Sequence, residues 1–416
     1  MNHCLVFDIG KTNKKVFIFD EDYRIVFEET AQFPETTDDD GYPCEDVSLL
    51  KNWVREAAGA LRRDPAFHIA AVHCTAYGAS FVHLDAGLQP VAPLYNYLKP
   101  FPADLLDDFL KRYGGPEKLS LETASPLLGH LNSGLQLFWL KYRKPQIFNR
   151  IKYALHLPQW IAMLLGAPLA TEMTGIGCHT MLWDFAKNDY HDWVKAEGLT
   201  EKFPPVVRTT THGAGLHDSS AALIPYLASF AEPFALISTG TWCISLNPFN
   251  REPLTAGELA QDCLCYLTPE GKPVKAARYF GGHEHAGAVK KIAAEFGLSP
   301  DFYRNIHSGG AGGPDARFRK ARDAYAGFMQ EMAEKQAAST RLAIGSSPAR
   351  RIFVDGGFSG NELYLHLLAT RFPGMEIYAA EVAQATALGA ALAIHDRWNR
   401  KPVPANLIAL KKFPPL

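Results

Sequence analysis

The chain lacks a charge excess of either sign. Its 42 Lys and Arg stand against 44 Asp and Glu, a formal net charge of -2. No basic field is there to collect nucleic acid or an anionic lipid surface. No apolar run reaches the roughly 20 residues that a spanning helix needs, so no membrane partner is expected. No signal-peptide pattern precedes the first apolar run, and a cytoplasmic location is expected. Cysteine is sparse. The seven are an odd number, no C-x-x-C pair occurs, and Cys263 and Cys265 are too close for an ordinary bridge. That argues against a disulfide framework and for reduced thiols packed in cores. Two sequence signatures are also missing. No G-x-x-x-x-G-K-[ST] phosphate loop occurs, and "GGHEHAG" (281–287) lacks the spacing of H-E-x-x-H, so His283 and His285 read as part of a turn rather than as metal ligands.

What is present is enough apolar material, 47% of 416 residues, for more than one core. The pattern divides into two halves. The first opens with "VFDIGKTNKKVFIFD" (6–20), a strand, a polar break and a second strand, and "RIVFEETAQF" extends the meander. "VSLLKNWVREAAGALRR" (47–63) has helical apolar spacing, "IAAVHCTAYGASFVHLD" (69–85) reads as strand, Tyr-Gly turn and strand, and 132–165 read as mostly helical, Pro158 opening the second helix. The second half repeats the opening with "FALISTGTWCISLN" (234–247). A long helix is expected over about 315–343, then strand, Gly-rich turn and helix at 351–372, then strand, loop and small-residue helix at 377–398. The Gly-rich "IHSGGAGGPDAR" (306–317) reads as a flexible loop. The expected division is 1–212 and 213–416.

Each half thus presents a polar turn between two strands. "DIGKTNKK" alone suits an ordinary hairpin. Paired with "STGTW", it suits two turns facing one ligand in a cleft between domains. Glycine lets backbone approach a phosphate, and hydroxyls and free N–H groups donate to it. Lys11 and Lys15 add positive charge. Asp8, at a strand end beside phosphates, is useful there if a cation intervenes, and Mg2+ is the expected one. "GGFSGNELYLHLLA" (356–369) is either a tight turn or a Gly-rich strand-to-helix turn that supports an anion or a flat ring. Asp218 precedes a helical run. Local chemistry reads it as an N-cap; its place before the second phosphate-type turn reads it as a base for a substrate hydroxyl.

These stretches, with "HDSSAA" and "ATALGAALA", occur in the order expected of the FGGY carbohydrate kinases, and the chain resembles that family over nearly its whole length. The resemblance implies an α/β fold of two actin-like ATPase (ribonuclease H-like) domains with a cleft between them. It implies ATP as phosphoryl donor, Mg2+ as its companion and a small sugar as acceptor; homodimerisation is left open. By position, Asp8, Gly10, Lys11, Thr12, Asn13 and Lys15 would face phosphate and metal, and Thr239, Gly240 and Thr241 the β- and γ-phosphates. Gly356, Gly357, Phe358, Ser359 and Asn361 would face the nucleoside, and Asp218 would be the base. His217 beside it is most similar to L-rhamnulose kinases and related deoxy-ketose kinases.

The sugar side departs from the family pattern. Ala76-Tyr77-Gly78-Ala79 replaces a polar Gln-Met-His-Gly-like element, and Asn96-Tyr97-Leu98-Lys99 replaces Asn-Asp-x-Arg. An acid and an arginine that often touch the sugar are therefore missing. Tyr77, Gly78, Tyr95, Asn96, Glu172, His217 and Asp218 are the expected acceptor contacts, with Tyr97 and Thr174 nearby. The connection "FPPVVRTTTHGAGLHD" is shorter than usual. The expected activity is phosphorylation of a ketose hydroxyl. Other polyol or alcohol acceptors, or a nucleotide-binding regulator without turnover, are the alternatives.

Overall fold

A computed structural model describes residues 1–208, 210, 213–306, 315–382 and 384–416. Most of the Gly-rich loop expected at 306–317 lies outside the described residues, as does part of the short 203–218 connection.

Two sheets carry the chain, and they share one plan. In the first, His3–Ile9, Lys14–Phe19 and Ile25–Ala31 form an antiparallel meander, and Ile69–Ala76 runs parallel to His3–Ile9 on its other side. In the second, Phe234–Thr239, Cys243–Asn247, Pro273–Tyr279 and Cys263–Leu267 pair antiparallel in that spatial order, and Arg351–Gly356 and Glu376–Glu381 add parallel strands. The repeat of pattern in the sequence is thus a repeat of topology. The two-residue strand Leu216–His217 joins the edge of the first sheet, beside Thr75 and Ala76.

Helices cover the outer faces. Val47–Arg63 is capped by Asp46, whose carboxylate accepts the Ser48 and Leu49 N–H groups. Its buried residues, Val47, Leu50, Val54, Ala58 and Leu61, recur at helical spacing and pack on the first sheet. Ala316–Ile344, Gly281–Phe296 and Glu362–Arg371 cover the second sheet. Two further helices lie between the sheets and hold them together. Asp218–Ser229 packs Leu223 and Tyr226 against the second sheet, and Ala385–Ala393 packs Ala387, Ala390 and Ala391 against Val6 and Phe17 of the first. They touch backbone to backbone, since a Cβ on Gly389 would lie 1.9 Å from the Ala221 carbonyl oxygen. This explains the small-residue run of "ATALGAALA".

An aromatic-rich core around Trp139, Trp183 and Trp193 forms a separate unit in the first half. Here the expected helical stretch is interrupted. Tyr153–His156 is a strand pairing with Phe81–Leu84, and Pro158 opens the helix Leu157–Leu164 that follows. "GGHEHAG" is not a turn but the first turns of the helix Gly281–Phe296; Gly282 is dictated by packing on the neighbouring loop rather than by chain reversal. All seven cysteines are buried and unbridged.

Candidate active site

The first polar turn is closed by the Gly10 N–H donating to the Asn13 carbonyl at 2.9 Å. Thr12 and Asn13 are left exposed at its tip. The three lysines part company. Lys14 turns inward to Glu45 (3.1 Å), and Lys11 pairs with Glu35 and Glu45 at 3.2 and 3.5 Å. Lys15 reaches towards Gln384 and Glu28, both at 3.4 Å. Asp8, opposite Lys15 in the strand pair, accepts the Thr386 hydroxyl at 2.5 Å through Oδ2. Burial pushes its carboxyl up to about 6. The Thr386 bond and Lys15 oppose that rise, and the charge of Asp218 adds to it. Asp8, Gly10, Thr12, Asn13, Lys15, Asp218, Gln384 and Thr386 line one cavity of 280 Å³.

Asp218 enters this cavity from the helix between the sheets. It is the first helical residue, not the N-cap: His217 holds that position, and no side chain caps the helix. The Asp218 carboxylate accepts only its neighbour's N–H and hydroxyl, from Ser219 at 2.6 and 3.2 Å. Burial raises it to about 6. His217 Nε2 lies 3.2 Å from Asp218 Oδ1 and 3.1 Å from Cys178 Sγ, and Nδ1 lies 3.3 Å from Ser220 Oγ. Burial drives this imidazole down to about 3, so it is neutral and carries one ring proton. Its hydrogen-bond partners are Cys178 Sγ at Nε2 and Ser220 Oγ at Nδ1, with donor and acceptor roles set by the tautomer. A carboxylate held by Ser219 and with no cap to make is suited to take a proton from a hydroxyl.

The second polar turn faces a larger cavity of 540 Å³, lined among others by Gly240, Thr241, Gly282, His285, Tyr303, Gly357, Phe358 and Asn361. Gly240 N–H donates to the Trp242 carbonyl (2.8 Å), a counterpart of the Gly10 bond. Thr239 ties two turns together: its hydroxyl donates to the Asp355 carbonyl and accepts the Phe358 N–H at 2.9 Å. Gly356 adopts a left-handed φ of 76°, which turns the strand into the "GGFSG" loop. Ser359 Oγ bonds back to the Gly356 carbonyl at 2.8 Å, and Asn361 caps the helix Glu362–Arg371 through the Tyr364 N–H. Gly282 packs so closely on the Gly240 carbonyl oxygen that a Cβ would stand 1.9 Å from it.

The acceptor candidates are dispersed. Gly78 abuts His217; a Cβ there would meet Cys178 Sγ at 2.7 Å and the imidazole at 3.0 Å. Tyr77 and Tyr97 pack edge to face at 6.1 Å, and burial, with the charge of Asp218 adding to it, raises the Tyr97 phenol. Tyr95 is 1% exposed and packs on Trp139. Asn96 bonds to the Pro43 carbonyl and the Leu98 N–H, both at 3.0 Å. Glu172, also 1% exposed, caps a short helix through the Thr174 and Gly175 N–H groups, and burial raises it to about 8. Thr174 Oγ1 in turn accepts the His217 N–H at 2.9 Å.

Sequence reasoning missed Thr386 and Gln384, which belong to a stretch valued only for its small residues. It missed Gly282 because the histidines beside it drew the reading towards metal. Asp355 also escaped notice: Tyr226 donates to its Oδ2 at 3.0 Å, and burial raises the carboxyl to about 6.

Comparison with known proteins is consistent with this geometry. Residues 3–225 match the N-terminal domain of the FGGY family of carbohydrate kinases, and residues 231–307 match a carbohydrate kinase FGGY C-terminal domain. A rhamnulokinase from Halalkalibacterium halodurans is 22% identical over 265 residues, which span 59% of this chain and 56% of that protein. Among solved structures, a carbohydrate kinase from Novosphingobium aromaticivorans aligns with a TM-score of 0.79 at 24% identity, covering 100% of this chain and 95% of that one. A ligand-bound xylulose kinase from Lactobacillus acidophilus aligns at 0.81 and 15%, covering 100% and 94%. The structural likenesses show the fold, and the N-terminal match, which spans more than half the chain, shows the family: this protein belongs to the FGGY carbohydrate kinases.

Proposed function

We propose that the chain transfers the γ-phosphoryl group of ATP to a hydroxyl of a ketose, of the rhamnulose or other deoxy-ketose or pentulose type. The observation that carries this reading is the convergence of the first polar turn and Asp218 on one cavity, although they lie in different halves of the sequence. Asp218, with His217 beside it, takes the proton of the attacking hydroxyl. Thr12, Asn13, Lys15, Gly240 and Thr241 receive the phosphates, through backbone donors, hydroxyls and one ammonium. Gly356, Gly357, Phe358, Ser359 and Asn361 surround the nucleoside. Phosphoryl transfer asks mainly for positioning and charge neutralisation, which such donors supply. The helices between the sheets are the natural site of the closure that excludes water.

Asp8 suits magnesium. It is a hard oxygen donor at a strand end, one of its oxygens is held by Thr386, and burial without a cation raises its pKa. Mg2+ bound there would neutralise charge on the phosphates. The rhamnulokinase likeness and the His217–Asp218 pair support a deoxy-ketose acceptor. Among the described residues no helix is long and apolar enough to cross a membrane, which agrees with a proposed cytoplasmic site of action.

Phosphorus NMR of a reaction with ATP and a ketose panel tests the reading. A new phosphate monoester on one sugar is the expected product. Inorganic phosphate alone, with every sugar, would contradict it.

A further inference from the structure

A third cavity, of 260 Å³, shares no lining residue with the two cavities described above. Ile69, Ala70, Ala71, Val72 and His73, five consecutive residues of one strand, line it. Side chains of a strand alternate between its faces, so a cavity that meets five in a row lies against the strand's backbone edge. That edge is open. Among the described residues it is paired only at Thr75 and Ala76, by the short strand Leu216–His217. An open edge offers unpaired N–H and C=O groups.

Two arginines line the same cavity. Arg62, in the last turn of Val47–Arg63, donates its Nη2 to the Leu165 carbonyl at 3.1 Å, which fixes its head at the wall. Arg397 closes the short turn His395–Arg397 that follows the inter-sheet helix Ala385–Ala393, and it has no hydrogen-bond or ion-pair partner among the described residues. Its Nη1 sits over Gly213, 2.6 Å from where a Cβ would stand. No Asp or Glu lines the cavity. Two buried groups register the resulting field. Burial lowers the His73 imidazole to about 4, and the charge of Arg397 pushes the same way. Burial raises the Cys4 thiol, and the charge of Arg397 opposes it. No carboxylate acts on either group to offset that charge.

We infer that this cavity is a second anion site, separate from the nucleotide and acceptor sites, and that it takes free phosphate or a short phosphate monoester between Arg62, Arg397 and the open strand edge. Guanidinium forks match phosphate oxygens, and the N–H groups of the edge add donors. The carbonyls of the same edge accept from a protonated phosphate or from a hydroxyl of its ester. The space is about half the 540 Å³ of the cavity given to the nucleoside, which suits a small phosphate rather than a nucleotide. An added peptide strand suits it less, because Leu216–His217 already holds one end of the edge and residues 165–168 wall the rest. The bound anion joins Arg62 to Arg397, and so ties the first sheet to the turn that follows an inter-sheet helix.

The test titrates inorganic phosphate and methyl phosphate into the ADP-loaded protein, with acetate as the comparison ion. Calorimetry reads binding, and the rise in melting temperature reads the tie between segments. Wild type, Arg62→Gln, Arg397→Gln, the double variant and Lys15→Gln are compared. A phosphate probe should bind wild type saturably at about 1 mM or below, and removal of either arginine should weaken it roughly ten- to a hundredfold, as loss of a charged hydrogen bond implies. Lys15→Gln should keep the binding, and acetate should bind roughly tenfold more weakly than phosphate. Both arginines are exposed, so without phosphate their variants should melt and bind ADP as wild type does. Whichever probe binds more tightly separates free phosphate from an ester. Phosphate binding that survives in the double variant overturns the inference, and its loss in Lys15→Gln places the anion at the first polar turn instead. Failure of both probes to bind wild type, or equal affinity for acetate, also overturns it. Each of these outcomes is read without turnover and leaves the kinase reading to its own test.

Discussion

Thr386 donates its hydroxyl to Asp8 at 2.5 Å, joining the first strand of the chain to a helix 378 residues further on. The bond crosses from the second half to the first at the floor of the proposed catalytic cavity. It also opposes the rise that burial imposes on Asp8. Thr386→Val keeps the shape and removes the donor. Asp8 should then hold its proton to higher pH. The acid limb of kcat/KM, expected to rise through about pH 6, should move upward by a fraction of a unit to one unit, as loss of one hydrogen bond implies. Thr386→Ser should restore it. A pH profile with the same limb in all three proteins would show that Asp8 does not limit the rate.

Asp218 is raised from 3.8 to about 6 by burial, so the folded protein binds its proton more tightly than the unfolded chain does. Stability is therefore lost as pH rises through the window from about 4 to 6, and the loss persists at neutral pH. Asp218→Asn removes the ionisation. It should be more stable than wild type at pH 7 and close to it at pH 4. The difference is on the order of 1–2 kcal/mol once the solvent that reaches this carboxylate is allowed for. Urea titrations at the two pH values check this, and equal gaps at both would refute it.

Gly282 marks where the helix Gly281–Phe296 meets the second polar turn. A methyl group there would stand 1.9 Å from the Gly240 oxygen, so Gly282→Ala must displace the turn. ADP affinity should fall by roughly tenfold or more, the usual effect of overpacking a close contact. Calorimetric titration with ADP reads it, and unchanged affinity would remove this turn from the nucleotide site.

Glu172 is raised to about 8, and its ionisation costs stability as pH rises from about 4.5 towards 8. Glu172→Gln keeps an acceptor for the Thr174 and Gly175 N–H groups and cannot ionise. It should match wild type near pH 5 and exceed it in melting temperature at pH 8.5. A variant that lost stability at both would show that the charged form is the one the fold requires.

The fold was largely legible because its signals are local. Helical spacing placed Val47–Arg63, and the two strand–turn–strand units announced the repeated sheet plan. The convergence of Asp8 with Asp218 followed from that repeat and from family resemblance. What stayed hidden depends on distant partners. Thr386 looks like any helix residue until Asp8 is opposite it. The Asp218 cap reading failed because the chain enters that helix from a strand, which gives the capping position to His217.

The most direct test of the account is kcat for the best ketose in wild type and Asp218→Ala, with the ADP dissociation constant of each measured alongside. The account predicts that kcat falls by roughly 10²-fold or more, as loss of a positioned general base requires, while ADP binding stays within about twofold. An Asp218→Ala protein that binds ADP and turns over at the wild-type rate would contradict it.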